Sequence, residues 1–158
     1  MNFLSTGRQV LNVIIELAHE EAIIPHRAHE DDAGFDLYSV ESGIIRPGER
    51  RLIDTGIKVQ LPKNTEMQVR PKSGIANKFG VTVLNTPGTV DRGFTSTVGV
   101  ILINLGNTDF EFKPGMKIAQ AIFNTLPEII LTQGIIDRNT DRGEGGFGST
   151  GLEYRGDK

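Results

Sequence analysis

From about residue 11 to residue 123 the chain repeats one rhythm: a short apolar or alternating run, then a turn. Alternation suits a strand with one face on a core, because successive side chains point to opposite sides. The pattern predicts strands near 11–17, 35–45, 50–60, 66–70, 81–84, 88–91, 97–104, 109–112 and 117–123. Pro47-Gly48, Pro62-Lys63-Asn64, Pro87-Gly88 and Pro114-Gly115 punctuate them. No stretch carries the long helical period that a crossover between parallel strands requires. One short helix is expected, with Ser73 capping a turn through Gly74-Ile75-Ala76-Asn77-Lys78 and Gly80 as its left-handed stop. The class expected is all-β, a jelly roll or barrel.

Composition supports sheet. Ile, Val and Thr number 40, whereas Ala and Leu number 19, and β-branched side chains suit pleated surfaces. A length of 158 residues predicts one domain, here a β domain over 1–138 whose residues 1–12 carry no motif. From Asn139 the chain turns polar and glycine-rich, so 139–158 is expected to be a flexible tail. The absence of cysteine excludes disulfide scaffolds, thiolate metal sites and cysteine nucleophiles. A formal charge of −3 argues against a nucleic-acid or membrane binder, either of which needs a broad basic field. The run Val10 to Ala18 is interrupted by Asn12 and Glu16, too short and polar for export or a membrane span. A cytoplasmic protein is expected.

Candidate chemistry lies in local clusters. Gly143-Glu144-Gly145-Gly146-Phe147-Gly148 has the spacing of a dinucleotide fingerprint, but it lacks the strand, helix and following ribose acid that such a site requires. It fails as a P-loop too, since Ser149 stands where lysine should. Five glycines within 143–151 nevertheless let backbone N–H groups approach an anion closely. Arg142, Ser149 and Thr150 add phosphate donors, and Phe147 adds an aromatic face. Arg70-Pro71-Lys72-Ser73-Gly74, at the start of the expected helix, is a second anion candidate. Asp91 ends a hairpin and can serve as a general base or simply satisfy turn donors. Asp36 stands in the otherwise apolar run Ala33-Gly34-Phe35-Asp36-Leu37, where burial demands a partner. His26 and His29, with acids after them, make only a weak metal pattern.

Five segments in this order resemble the five motifs of the trimeric dUTP pyrophosphatases (dUTPases). They are Ala33-Gly34-Phe35-Asp36-Leu37-Tyr38-Ser39, Arg70-Pro71-Lys72-Ser73-Gly74, Gly88-Thr89-Val90-Asp91, Gly115-Met116-Lys117-Ile118-Ala119-Gln120 and Arg142 through Gly151. The resemblance implies a jelly-roll-like or β-clip subunit and a homotrimer whose active sites are shared among chains. It implies hydrolysis of dUTP to dUMP and pyrophosphate with Mg²⁺ as cofactor, limiting uracil in DNA and supplying dUMP for dTMP synthesis. Asp91 then matches the base that activates water, and Asp36 the acid that positions magnesium-bound water. Lys72, Ser73, Gly74 and Gln120 match phosphate-contacting positions. Asn85, Gly88, Val90 and Phe94 match the nucleoside pocket, with Phe94 under the deoxyribose. Arg142, Gly148, Ser149 and Thr150 match the closing tail, with Phe147 over uracil.

The match carries departures. Lys72 replaces the usual arginine and loses its planar fork. Phe94 lacks a tyrosine hydroxyl, Thr95-Ser96 replaces a basic-or-amide plus glycine pair, and Met116 stands where an acid is common. None removes the base or the tail, so activity is expected. A dCTP deaminase of the same fold would need a glutamate where Ile101 stands. The remaining alternative is a non-catalytic, nucleotide-gated regulatory module.

Overall fold

The computed structural model describes residues 10–147 and 149. Chain contacts separate a unit ending at Glu128 from a second that begins at Ile129. Among the described residues the first unit holds β1 (Ile14–Leu17), β2 (Phe35–Tyr38), β3 (Gly43–Ile45), β4 (Arg50–Asp54) and β5 (Ile57–Gln60). There follow β6 (Thr65–Arg70), α1 (Ser73–Phe79), β7 (Val81–Val83) and β8 (Gly88–Val90). The last strands are β9 (Gly99–Asn104), β10 (Phe110–Phe112) and β11 (Lys117–Thr125). They pair antiparallel as β2-β11-β6-β8, β4-β9-β7, β1-β5 and β10-β3. The jelly-roll-like expectation therefore takes the form of open sheets, with no closed barrel among the described residues.

Alternation builds the core. Along β6, Thr65, Met67 and Val69 face inward, and along β9 Val100, Leu102 and Asn104 do the same. They meet Leu37, Ile45, Ile53, Val81, Phe110 and Ile118, and burial of each large side chain contributes about 1.5–3 kcal/mol.

Two predicted strands are broken in two. Over 35–45, the buried Ser39 binds Glu41 through its hydroxyl, accepting from the Glu41 amide and donating to its carbonyl, which ends β2. Over 50–60, Thr55 donates its hydroxyl to the Val98 carbonyl (2.6 Å), and Gly56 turns the chain between β4 and β5. The helix differs at its start: Ser73 is the first helical residue, and Lys72 occupies the cap position with no side-chain capping bond. Gly80 ends the helix at φ 69°, as the sequence suggests.

A seven-residue helix has little stability of its own, so its position comes from tertiary contacts. Ile75 and Phe79 lean on the core, and Phe79 meets Phe110 edge to face at 5.3 Å. Gly80 also lies against Gly106, and the Leu105 amide donates to the Gly80 carbonyl (2.9 Å). The fully buried Asn104 ties this corner, donating to the Ile45 and Thr108 carbonyls and accepting from the Gly106 amide. A methyl group on Gly106 would stand 2.2 Å from the Phe79 carbonyl oxygen. Gly106→Ala is expected to lower stability by about 1–3 kcal/mol in denaturant titration. Gly134→Ala, whose methyl meets nothing within 4 Å, should change it by less than about 0.5 kcal/mol.

Candidate functional site

Asp36 lies on β2 directly opposite Gln120 of β11, and Gln120 in turn pairs with Arg70 of β6. This sheet therefore gathers three of the five sequence segments at one end. The Asp36 side chain is 7% exposed and bonded by two ammonium groups. Lys72 donates to Oδ1, and Lys117 donates to Oδ2 at 2.6 Å. Burial opposes ionisation of this carboxyl, but the hydrogen bonds and charges of Lys117 and Lys72 outweigh it and hold its pKa below the ordinary value. Lys117 is held above its own ordinary value by the same bond. Beside them the buried Tyr38 phenol is pushed up by burial first and by the Asp36 charge second. His26 is taken up by Tyr38, stacked on it and hydrogen-bonded at 3.0 Å.

Gln120 donates its amide to the Pro71 carbonyl (2.9 Å), joining β11 to the segment that carries Lys72 and Ser73. Its carbonyl oxygen rests on Gly34, where an added methyl would stand only 2.1 Å away. A cavity of about 390 Å³ opens beside them, lined by Asp32, Gly34, Asp36, Arg70, Gln120 and Ile122. Ser73 and Gly74 are exposed at the start of α1, and Arg70 leans on Gln68 (2.7 Å). Arg70 lines this cavity with Asp32 and Asp36, while Lys72 and Lys117 on Asp36 and the exposed Ser73 hydroxyl lie at the same end of the sheet. Cationic and hydroxyl donors suited to an anionic group thus collect beside the carboxylates.

The hairpin chemistry lies elsewhere on the chain. Gly88 and Val90 face inward on β8, and Asn85 lies against Gly88 at the turn. Asp91 is exposed and borders a second cavity, of about 130 Å³, with Thr89, Val90, Phe94, Val98 and Gly99. Met67 pairs with Val90 and Val69 with Gly88, so Asp91 follows near the level of Glu66, at the far end of β6 from Arg70. At roughly 3.3 Å per residue this sets Asp91 about 13 Å from the level of Arg70 along the strand. One chain does not bring Asp91 to Asp36 and Lys72.

In the second unit, Arg142 donates Nε to the Gly145 carbonyl (2.9 Å) and the Ser149 amide donates to Gly146 (3.0 Å). Gly143 and Phe147 both have positive φ, and the Phe147 ring is fully exposed. Gly148 and Thr150 lie outside the described residues.

Lys117 is the participant that residue spacing missed. It stands in the quoted Gly115–Gln120 segment, but nothing in the sequence directs its side chain to Asp36. The one available signal was Ile118-Ala119, two apolar residues in succession that break strand alternation.

A sequence model of the family described as dUTPase matches residues 20–151. The deoxyuridine 5'-triphosphate nucleotidohydrolase of Clostridium novyi (strain NT) is 52% identical over 142 residues, covering 90% of this chain and 100% of that one. A Staphylococcus bacteriophage 80alpha dUTPase variant with dUpNHpp has the same fold, with TM-score 0.79 and 23% identity, over 89% of this chain and 99% of that chain. A dUTPase variant from phage phi11 of S. aureus, described for its coordination of a structural Mg(II) ion, aligns with TM-score 0.75 and 21% identity, over 81% of this chain and 99% of that one.

The lysine pairing of Asp36 generates a pH dependence with a definite sign. A carboxyl whose folded pKa is depressed stabilises the fold fully above its ordinary value near 3.8 and loses that contribution as pH falls through the folded value. Urea midpoints of the natural protein and Asp36→Asn should differ most at neutral pH and converge as the pH falls through that lowered value. A gap that stays constant down to acid pH would contradict the pairing.

Proposed function

The chain belongs to the dUTPase family and hydrolyses dUTP to dUMP and pyrophosphate, and we propose that it does so at sites completed between copies of the chain. The observation that carries this reading is the length of β6, which keeps Asp91 apart from the Lys72 and Gln120 cluster. A second copy supplying Asp91, in a homotrimer, closes that gap. Leu52, Leu84 and Leu105 of the first unit, exposed apolar side chains, support a surface covered by other copies.

In this reading Lys72, Ser73, Gly74 and Gln120 bind the phosphates, with Arg70 at the edge of the cavity. Asn85 and the backbone of Gly88 and Val90 meet the uracil edge. Uracil and cytosine reverse donor and acceptor there, so a hydrogen-bonding hairpin discriminates by roughly 10⁴. Phe94 packs under the deoxyribose, where a 2′-hydroxyl would have no room. Asp91 takes a proton from water as that water attacks the α-phosphorus, and pyrophosphate leaves. A positioned base of this kind typically contributes 10² to 10⁴, on the order of 3–5 kcal/mol. Arg142, Gly148, Ser149 and Thr150 of the tail close on the phosphates, and Phe147 covers the base.

A divalent ion fits as part of the substrate. Among the described residues no three His, Asp or Glu side chains converge to cage a metal, and both oxygens of Asp36 already accept from lysines. Mg²⁺ carried by the triphosphate would offset phosphate charge, and the free lone pairs of Asp36 would hold a water bound to it. We assign the enzyme to the cytoplasm because its substrate is a free nucleoside triphosphate. No helix among the described residues is long and apolar enough to cross a membrane.

Pyrophosphate release with Mg²⁺ is expected from dUTP, and not from dCTP, dTTP or UTP. Asp91→Asn should lower kcat by about 10² to 10⁴ while retaining binding of an imido analogue of dUTP. Co-refolding Asp91→Asn with Lys72→Met, each impaired alone, should restore part of the activity, because some mixed sites then carry both native residues. No restoration would place the whole site in one chain. Gly34→Ala should displace the Gln120 carbonyl and raise KM on the order of tenfold, with thermal stability nearly unchanged.

A further inference from the structure

The ladder between β2 and β11 contains one irregularity. Gln120 pairs with Asp36 and Ala119 with Leu37, so an unbroken register would set Ile118 opposite Tyr38. Lys117 stands there instead, because the register shifts between Lys117 and Ala119. Directly opposed residues share a face of the sheet, and so do alternate residues along a strand. Asp36, Tyr38, Gln120 and Lys117 therefore project on one side, whereas a regular strand would send Lys117 to the other. The shift also lets Ile118 and Ala119 both be buried, at 1% and 0% exposure. A bulge of this kind re-aims a side chain, and this one aims an ammonium at Asp36 Oδ2, 2.6 Å away.

The effect on the other lysine is specific. Lys72 carries a compact ammonium on a flexible stem. It is tethered to Asp36 Oδ1. With Oδ2 unoccupied, the carboxylate would present both oxygens and its full charge to Lys72, drawing the ammonium inward and cancelling it. With Lys117 on Oδ2, the three groups sum to one positive charge, and Lys72 keeps donors for a phosphate.

We propose that Lys117 is a positioning residue for the phosphate end of the site: set on Asp36 by the β11 bulge, it holds the carboxylate so that Lys72 faces the triphosphate as a cation. The proposal rests on reading the cavity beside Asp36 and Gln120 as the triphosphate site. It assigns Lys117 no contact with the substrate. Its action runs through Asp36 and disappears when that carboxylate is gone.

The test is steady-state hydrolysis of Mg-dUTP, with thermal midpoints measured on every variant. Lys117→Met should raise KM on the order of tenfold while kcat falls less than about threefold, the scale of one unbalanced charge near a partly exposed site. Lys117→Arg, whose longer cation still reaches Oδ2, should recover KM to within about threefold. In an Asp36→Asn background the Lys117→Met change should alter KM by less than about twofold, since coupled residues are not additive. An unchanged KM in Lys117→Met overturns the proposal. So does a full tenfold effect in the Asp36→Asn background, or a loss traced wholly to unfolding. Failure of the natural protein to release pyrophosphate from dUTP would instead refute the reading of the site itself.

Discussion

Asp36 lies in a strand beside the buried Leu37 and Tyr38, where an unpaired carboxylate would carry a penalty of several kcal/mol. It is tolerated because two lysines reach it, one from the turn before α1 and one from β11. That requirement joins three distant stretches of chain at one point. The same contacts that neutralise the buried acid leave a cluster of net positive charge, the one proposed to take the phosphates, so in that reading the local demand for charge balance and the chemistry coincide.

Around this point the sheet acts as a ruler. Pairing of β11 with both β2 and β6 brings Gln120 beside Asp36 and Arg70, and Gly34 leaves room for the Gln120 side chain. The same ruler keeps Asp91 away, since β8 runs antiparallel to β6 and delivers Asp91 to its other end. Extended strands do not bend enough to close such a distance. In the proposed reading a second copy of the chain supplies the base instead, which makes assembly part of the active site.

Much of this was legible in residue order. Short apolar or alternating runs marked the stretches in which the described strands lie, Gly80 marked the helix end, and the five motif segments identified the family. The breaks within 35–45 and 50–60 were not legible, because Ser39 and Thr55 end strands through hydrogen bonds to backbone that their sequence neighbours do not reveal. Ser73 looked like a cap and proved the first helical residue, with Lys72 at the cap position and its side chain bonded to Asp36 of β2, a contact that sequence neighbours do not reveal.

Local sequence thus determined the class of fold, the apolar face of each strand and the chemical inventory of the site. These follow from side-chain period, turn chemistry and residue type, which act over a few neighbouring positions. Tertiary structure alone decided which charges meet. Lys117 faces Asp36 only because β11 shifts register by one residue, and Asp91 is remote from Lys72 only because of how β8 pairs with β6. Such facts depend on contacts between residues tens of positions apart, and a single-residue change of register sends a side chain to the opposite face.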